Sequence, residues 1–504
     1  MSRRSLEDII RTGFQLAEKL HMQALDLQQQ RGLECIGENI KNGGLAVGVG
    51  PPGTGKTMVF SKAYVENLEN IDSDEVIVHI APTNRLVEET AERTIALLVS
   101  RGYDEKDLNS IVRVYGSHFE PKPLDKDVKL VFTTGYQPGA LAKLSMSRNA
   151  VHVMIDEAST TAFHEAFISL SIALTKEIKS KRGEFIASFN VIGDPMQAIV
   201  EYGGSRWKYE HLIVYRMILS IIPEDERDDV KYNPSKMFEL AEKYANQSEI
   251  GYFFLNKTYR MPKPTEILVS MPFYDEKLVA VRDYNEALKN ILSDSSQINS
   301  FINRSHFLNR YEKVRETIDN ALDSAIPIVY IVDRDGYKKS RYGGYLGLDE
   351  YDDIRTKLGS EIAAYLAYRT TVQKIMLLAP YNDIVQQAHW YTRRSFGDLL
   401  EKRLEKLSFR TVHSALGSEA DIIVAILGKE YIGETHETIY FQIPELINVQ
   451  FSRHFRMLVI IGDVEKLADN MNKIGGEFKH VSRIKNAIEK LKEKDLIKIT
   501  KINN

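Results

Sequence analysis

The sequence of 504 residues has a single cysteine, Cys35. One thiol excludes an intramolecular disulfide and a zinc cluster built on cysteines, and it leaves Cys35 as a small apolar residue for a core. Redox chemistry is not expected. Long apolar runs are missing too: no stretch approaches the ~20 residues of a membrane span. The N-terminus MSRRSLEDII turns acidic and amphipathic where a secretory leader needs an uninterrupted apolar segment. An intracellular protein without a membrane partner is expected, cytoplasmic, or nuclear if eukaryotic. A surplus of charge of one sign is also absent. Lys and Arg number 66 against 70 Asp and Glu, a formal net charge of −4, which argues against a uniformly basic coat, although a cleft needs only local charge.

What is present is length and apolar content. A chain of 504 residues, 43% hydrophobic, exceeds one core and predicts several domains. The stretch LAVGVGPPGTGKT, Leu45 to Thr57, organises the rest: an apolar, β-branched run ends in the loop Gly50, Pro51, Pro52, Gly53, Thr54, Gly55, closed by Lys56 and Thr57. The glycines let backbone N–H groups turn inward around a triphosphate. Lys56 supplies a point charge for the β- and γ-phosphates and Thr57 a hydroxyl for Mg²⁺. A helix starting near Lys56 adds its positive end to the same site.

The segment ahead of this loop, Leu6 to Asn42, reads as helix from its apolar spacing, and Gln28, Gln29 and Gln30 fall within it. After the loop, apolar runs alternate with helical ones: Glu75 to Ala81, Val128 to Thr134, Val151 to Ala158, and Phe189 to Asp194. Such alternation predicts a parallel sheet covered by helices, with function at the carboxyl ends of its strands. Each run ends in polar residues: Thr83 and Asn84, Thr133 and Thr134, Asp156 and Glu157, Asp194 with Gln197. Acids closing an apolar strand are costly without a cation to serve. Asp156 is therefore assigned to Mg²⁺ and Glu157 to the attacking water, with the Gln197 amide within reach of a γ-phosphate.

A second series follows, Gly251 to Asn256, Ile326 to Asp333, Lys374 to Tyr381, Phe409 to His413, Asp421 to Leu427 and Met457 to Asp463, without a phosphate loop of its own. Two sheets with one nucleotide motif suggest ATP bound between domains, with Arg260 and Arg453 as charges supplied across the cleft.

The ordered set GPPGTGKT, APTN, DEA, GDPMQ, YRMP, APYND, TVHSALGSEAD and NVQFSR resembles the motifs of superfamily 1 helicases. It is most similar to the group B branch that includes the nonsense-mediated-decay RNA helicase. The resemblance covers roughly residues 25 to 465. It implies an α/β P-loop NTPase of two tandem RecA-like domains, with parallel sheets and helical insertions, placed at 1–250 and 251–504. By resemblance Gln29 sits where an adenine edge is read, with Gln28 and Gln30 leaving the register open. Tyr259 falls where a ring stacks on adenine, and Arg260 and Arg453 fall on two arginine fingers. Gly417 and Glu419 occupy the motif that couples nucleotide to nucleic acid. A bound single strand would touch Thr83, Asn84, Thr133, Thr134, Pro380, Tyr381, His413 and Ser414, whose types suit backbone contacts that do not read sequence; Tyr381 stacks a base or packs in the core. Departures from the pattern are Leu416, Thr160, Ala198 and Val200.

Two insertions, 201–250 and 281–324, are helical decoration or a duplex wedge; in the second, Arg304, Arg310, Lys313 and Arg315 interleave with Phe301, Phe307 and Tyr311. The basic tail from Lys479 to Lys501 is a solvated helix or a phosphate-binding arm. The expected function is an ATP- and Mg²⁺-dependent motor, a monomer moving 5′ to 3′ along single-stranded DNA or RNA, with a protein loading partner possible. The alternative is a nucleic-acid-binding ATPase switch or protein remodeller without processive unwinding.

Overall fold

The structure is a computed structural model, and it describes residues 3–18, 24–120, 122–135, 150–161, 187–197, 201–202, 205–206, 212–232, 236–293, 298–333, 353–415, 417–428, 444–473 and 480–502. The chain divides into two compact units, Met1–Asn256 and Lys257–Asn504.

The first unit is built on β1 (Gly44–Val49), β2 (Glu75–Ala81), β3 (Val112–Tyr115), β4 (Leu130–Thr134), β5 (Ala150–Ile155) and β6 (Ser188–Gly193). The two-residue strands β7 (Glu201–Tyr202) and β8 (Ser205–Arg206) pair with each other, and β9 (Ile250–Phe254) closes the sheet. The sheet order is β3-β4-β2-β5-β6-β1-β9, and its pairings are parallel. Every residue of β2 is buried, as expected of a parallel strand covered on both faces. Its one imidazole, His79, accepts this because Tyr64 Oη lies 2.8 Å from His79 Nδ1. Burial lowers the His79 pKa to about 3, so the ring is neutral among Phe60, Tyr64 and Phe132.

Two expectations are revised here. The run Gly251 to Asn256, read as the opening of the second series, is β9, hydrogen-bonded to β1 in the first sheet. An apolar run shows that a strand is buried but not which sheet it joins. Residues 6–42 also form two helices, Leu6–Ala17 and Leu27–Asn42. The second starts afresh because Asp26 caps it, its carboxylate accepting from Gln28 N and Gln29 N while Gln29 Oε1 accepts from Asp26 N.

The second unit starts with the two-residue pair β10 (Lys257–Thr258) and β11 (Val279–Ala280). Its main sheet contains β12 (Ile328–Asp333), β13 (Ile375–Ala379), β14 (Leu407–Thr411), β15 (Ala420–Ile426), β16 (His454–Gly462) and β17 (Lys498–Ile502). Their order is β14-β13-β15-β16-β12-β17, again parallel. In each unit the strands present apolar side chains to helices on both faces, giving two tandem RecA-like α/β units. In the first, β6 separates the strand of the phosphate loop from the strand that carries the acids.

The basic tail is neither a wholly solvated helix nor a free arm. The helix His480–Glu493 buries Ile484, Ala487 and Leu491, its Lys490 bonds Glu276 at 3.1 Å, and β17 adds the last strand beside β12. Lysines alternating with Ile and Thr in KITKI suit an edge strand, where charge discourages further pairing.

The insertion 281–324 is also part of a core. Phe301, Phe307 and Tyr311 are buried, Arg304 is bound by Asp398 and Arg315 by Glu312. Arg310, whose guanidinium lies 5.3 Å from the Tyr311 ring centroid, and Lys313 stay at the surface. Its helix His306–Arg310 begins on Glu361, a fully buried carboxylate that accepts from His306 N, Phe307 N and Leu308 N and from the Tyr391 hydroxyl. The YGGSRW stretch of the other insertion lies partly outside the described residues.

Candidate nucleotide and nucleic-acid site

The loop after β1 closes through glycines. Gly53 and Gly55 have φ of 71° and 83°, a region that costs an L-residue about 1–2 kcal/mol. At Gly55 a Cβ would also stand 2.6 Å from Gln29 Nε2. That amide donates to the Thr54 carbonyl at 2.9 Å. Of the three consecutive glutamines, Gln29 is therefore the one that meets the loop, while Gln30 points at Glu34. The Asp26 cap sets this choice, because the residue closing a capping box is held against the helix start.

Lys56 opens the helix Lys56–Asn67. Its Nζ donates to the Gly50 carbonyl at 3.0 Å and lies 3.2 Å from Glu157 Oε1. At the end of β5, Asp156 is 1% exposed. Its Oδ2 accepts from the Thr57 hydroxyl at 3.2 Å and its Oδ1 from Glu157 N at 2.8 Å. Burial and the neighbouring Glu157 push the Asp156 pKa up to about 6, against the pull of Lys56 and Thr57. A buried carboxylate bound to the Thr57 hydroxyl, beside a glycine loop closed by a lysine, suits a phosphate-bound Mg²⁺, so the donor set fits the nucleotide. Glu157 itself has φ of 48°, a strained conformation for a non-glycine residue that recurs at functional positions. The Thr160 hydroxyl holds its carbonyl at 3.0 Å, which gives this departure from the expected motif a structural task. Gln197 is 3% exposed at the end of the 3₁₀ turn Pro195–Gln197 that follows β6. Leu416, Ala198 and Val200 lie outside the described residues.

In the second unit Arg260 and Arg453 converge on one carboxylate. Arg260 Nη2 is paired with Glu419 Oε1, and its Nη1 donates to the Ser452 carbonyl at 3.2 Å. Burial alone would raise the Glu419 pKa, but Arg260 and Arg453 hold it below its usual value. Arg453, 4% exposed, is followed by His454, whose Nε2 meets the Thr265 hydroxyl at 2.8 Å and whose pKa burial lowers to about 3. Gly417 has φ of 72° in the turn leading to Glu419, and Tyr259 is 38% exposed beside Arg260. Sequence reasoning missed Arg282, which donates to the Arg260 and Phe455 carbonyls at 3.3 and 3.1 Å. It sits in no motif, so no local signal marks it.

Residues 29–182 match the DEAD/DEAH box helicase family, and residues 235–465 match an AAA domain family. These matches support a helicase, each over less than half of the chain. Helicase domains belong in general to ATP-hydrolysing enzymes, and the first match contains the phosphate loop and both acids. No curated protein matches the sequence. Similar solved structures include S. cerevisiae Dbp5 bound to RNA and ADP BeF3, at 11% identity over 97% of each chain with a TM-score of 0.42. The DUF1998 helicase MrfA bound to DNA and AMPPNP is 12% identical, over 94% of this chain and 53% of that one, with a TM-score of 0.41. At such values these likenesses carry no argument about what this chain binds.

The residues expected to touch a strand are placed unevenly. In the first unit Thr83 caps the helix Asn84–Ser100, its Oγ1 accepting from Leu86 N, and Asn84 donates to the Ser117 hydroxyl at 3.0 Å. Thr133 and Thr134, by contrast, are buried in β4. In the second unit Pro380 and Tyr381 follow β13, with Tyr381 half-buried and packed against the core, which favours packing over base stacking. His413 and Ser414 follow β14, where Ser414 is bound to Thr411 through both its backbone N–H and its hydroxyl.

Proposed function

We propose that this chain is a superfamily 1 helicase of the group B type that hydrolyses ATP and moves along single-stranded nucleic acid, in the 5′ to 3′ direction. The branch and the direction rest on the motif resemblance alone, while the observation that carries the hydrolysis is the arrangement at the ends of β1 and β5. There one buried carboxylate, Asp156, faces the Thr57 hydroxyl at 3.2 Å, and a second, Glu157, faces the Lys56 ammonium at 3.2 Å.

In this proposal the inward N–H groups of Gly53 to Thr57 and the Lys56 ammonium bind the phosphates, Gln29 reads the adenine edge and Tyr259 stacks on the base. Thr57 and Asp156 would hold Mg²⁺, which neutralises phosphate charge when bound. Glu157 orients and deprotonates the attacking water, and Gln197 senses the terminal phosphate. Arg260 and Arg453 leave Glu419 to stabilise charge developing on the transferred phosphoryl group, an effect worth roughly 10³–10⁵ in rate for an arginine finger. Gly417 and Glu419 then link that release to a strand held by Thr83, Asn84, Pro380, Tyr381, His413 and Ser414, with Thr133 and Thr134 buried behind it in β4.

Steady-state ATP hydrolysis is measured for wild type and Glu157→Gln, alone and with single-stranded DNA, single-stranded RNA and duplex over a salt series. Strong stimulation by a single strand that is lost in the variant supports the motor. Hydrolysis indifferent to every nucleic acid overturns it and leaves a partner-activated switch.

A further inference from the structure

We propose that the outer face of the helix Asn382–Leu400 binds single-stranded nucleic acid, which rests on the helicase reading above and adds a contact outside its motifs. Trp390 on this helix is 56% exposed. One exposed apolar ring is by itself ordinary; the cations gathered around this one set it apart. Arg394, one turn on, holds its guanidinium 4.8 Å from the ring centroid, and His389 and Arg393 are exposed on the same face.

The flank of this helix is covered by the edge strand β14, where Phe409 is half-buried with its ring 5.4 Å from His389. Arg410 follows and donates to the Ser414 carbonyl at 3.1 Å. The surface is thus continuous with the turn that carries His413 and Ser414.

Charge decides the occupant. Among the described residues no acidic side chain pairs with Arg393, Arg394 or Arg410. Asp398 of the same helix is occupied by Arg304, with two bonds at 2.6 and 2.7 Å. Three unopposed guanidinium groups match phosphates, and an indole with a flat cation stacked beside it matches the face of a base. Duplex hides base faces inside its stack, so the strand that fits is unpaired.

The chain contains two tryptophans, so Trp207→Phe leaves Trp390 as the sole indole. This variant is titrated with a 20-nucleotide single-stranded DNA and the matching RNA. Indole quenching on binding is expected. In the wild-type background Trp390→Ala should weaken oligonucleotide affinity roughly tenfold. Arg393→Gln with Arg394→Gln should lower the slope of log affinity against log salt by about 1.4, since each single-strand phosphate no longer neutralised removes about 0.7. The DNA and RNA arms distinguish which strand is preferred. If wild type binds oligonucleotides while Trp390 is not quenched and both variants bind as wild type does, this face does not touch the strand, and a protein partner becomes its better occupant. If wild type binds neither oligonucleotide and its hydrolysis is unstimulated, the helicase reading fails and the proposal falls with it.

Discussion

Glu157 Oε1 lies 3.2 Å from the Lys56 ammonium, so the acid assigned to water activation neutralises the lysine assigned to the phosphates. A nucleotide must displace that ion pair. Lys56→Ala should weaken nucleotide binding about 10- to 100-fold, the range for losing hydrogen bonds to a charged group. Glu157→Gln should bind at least as tightly as wild type, because the ammonium is released. Titration with a fluorescent ATP analogue checks both; a Glu157→Gln protein that binds ten times more weakly contradicts the picture.

The left-handed backbone at Glu157, φ 48°, points to a cost in stability. Glu157→Gly should raise the melting temperature of the first unit slightly, by up to about 1 kcal/mol of stability, while abolishing hydrolysis. Calorimetry showing a lower melting temperature would mean that the Lys56 ion pair outweighs the strain.

Gln29 and its neighbours offer a test of register. Gln29→Ala loses both the bond to the Thr54 carbonyl and the one from Asp26 N, so stability and nucleotide affinity should fall together by about 1–2 kcal/mol each. Gln28→Ala and Gln30→Ala should change neither by more than ~0.5 kcal/mol. Equal effects at all three positions would dissolve the assignment.

Glu361 anchors the helix His306–Arg310 to the second unit through three backbone N–H groups. Removing it strands those donors in a dry interior, so Glu361→Ala should cost about 3–5 kcal/mol, lowering the melting transition by roughly 10 °C. Glu361→Gln, which keeps one acceptor oxygen, should cost less. Indistinguishable losses in the two variants would point to packing rather than hydrogen bonding.

Burial raises the Glu266 pKa to about 7 from 4.5. The folded state then holds a proton that the unfolded state releases, so the stabilisation is complete below pH 4.5 and is lost as pH rises through about 7. Stability of wild type should decline between about pH 4.5 and 7 by up to about 3 kcal/mol, and Glu266→Gln should flatten that decline. A variant with the wild-type pH profile assigns it to other groups.

Much of this was legible in sequence because it is local. The phosphate loop depends on glycines and a lysine within eight residues, β2 runs over the seven residues expected, and the acids Asp156 and Glu157 close an apolar run as anticipated. Each follows from short-range sterics or from a strand's need to bury both faces. What depended on long-range packing was not legible. Gly251 lies in β9, where a Cβ would stand 2.5 Å from Cys35 Sγ, so the lone cysteine and a glycine 216 positions later settle each other's size. Periodicity could not say that β9 belongs to the first sheet, that the basic tail ends as β17, or that Phe301 is core while Trp390 faces water. Amino-acid pattern records what a side chain prefers. Only the closed fold decides which partner, or which solvent, meets it.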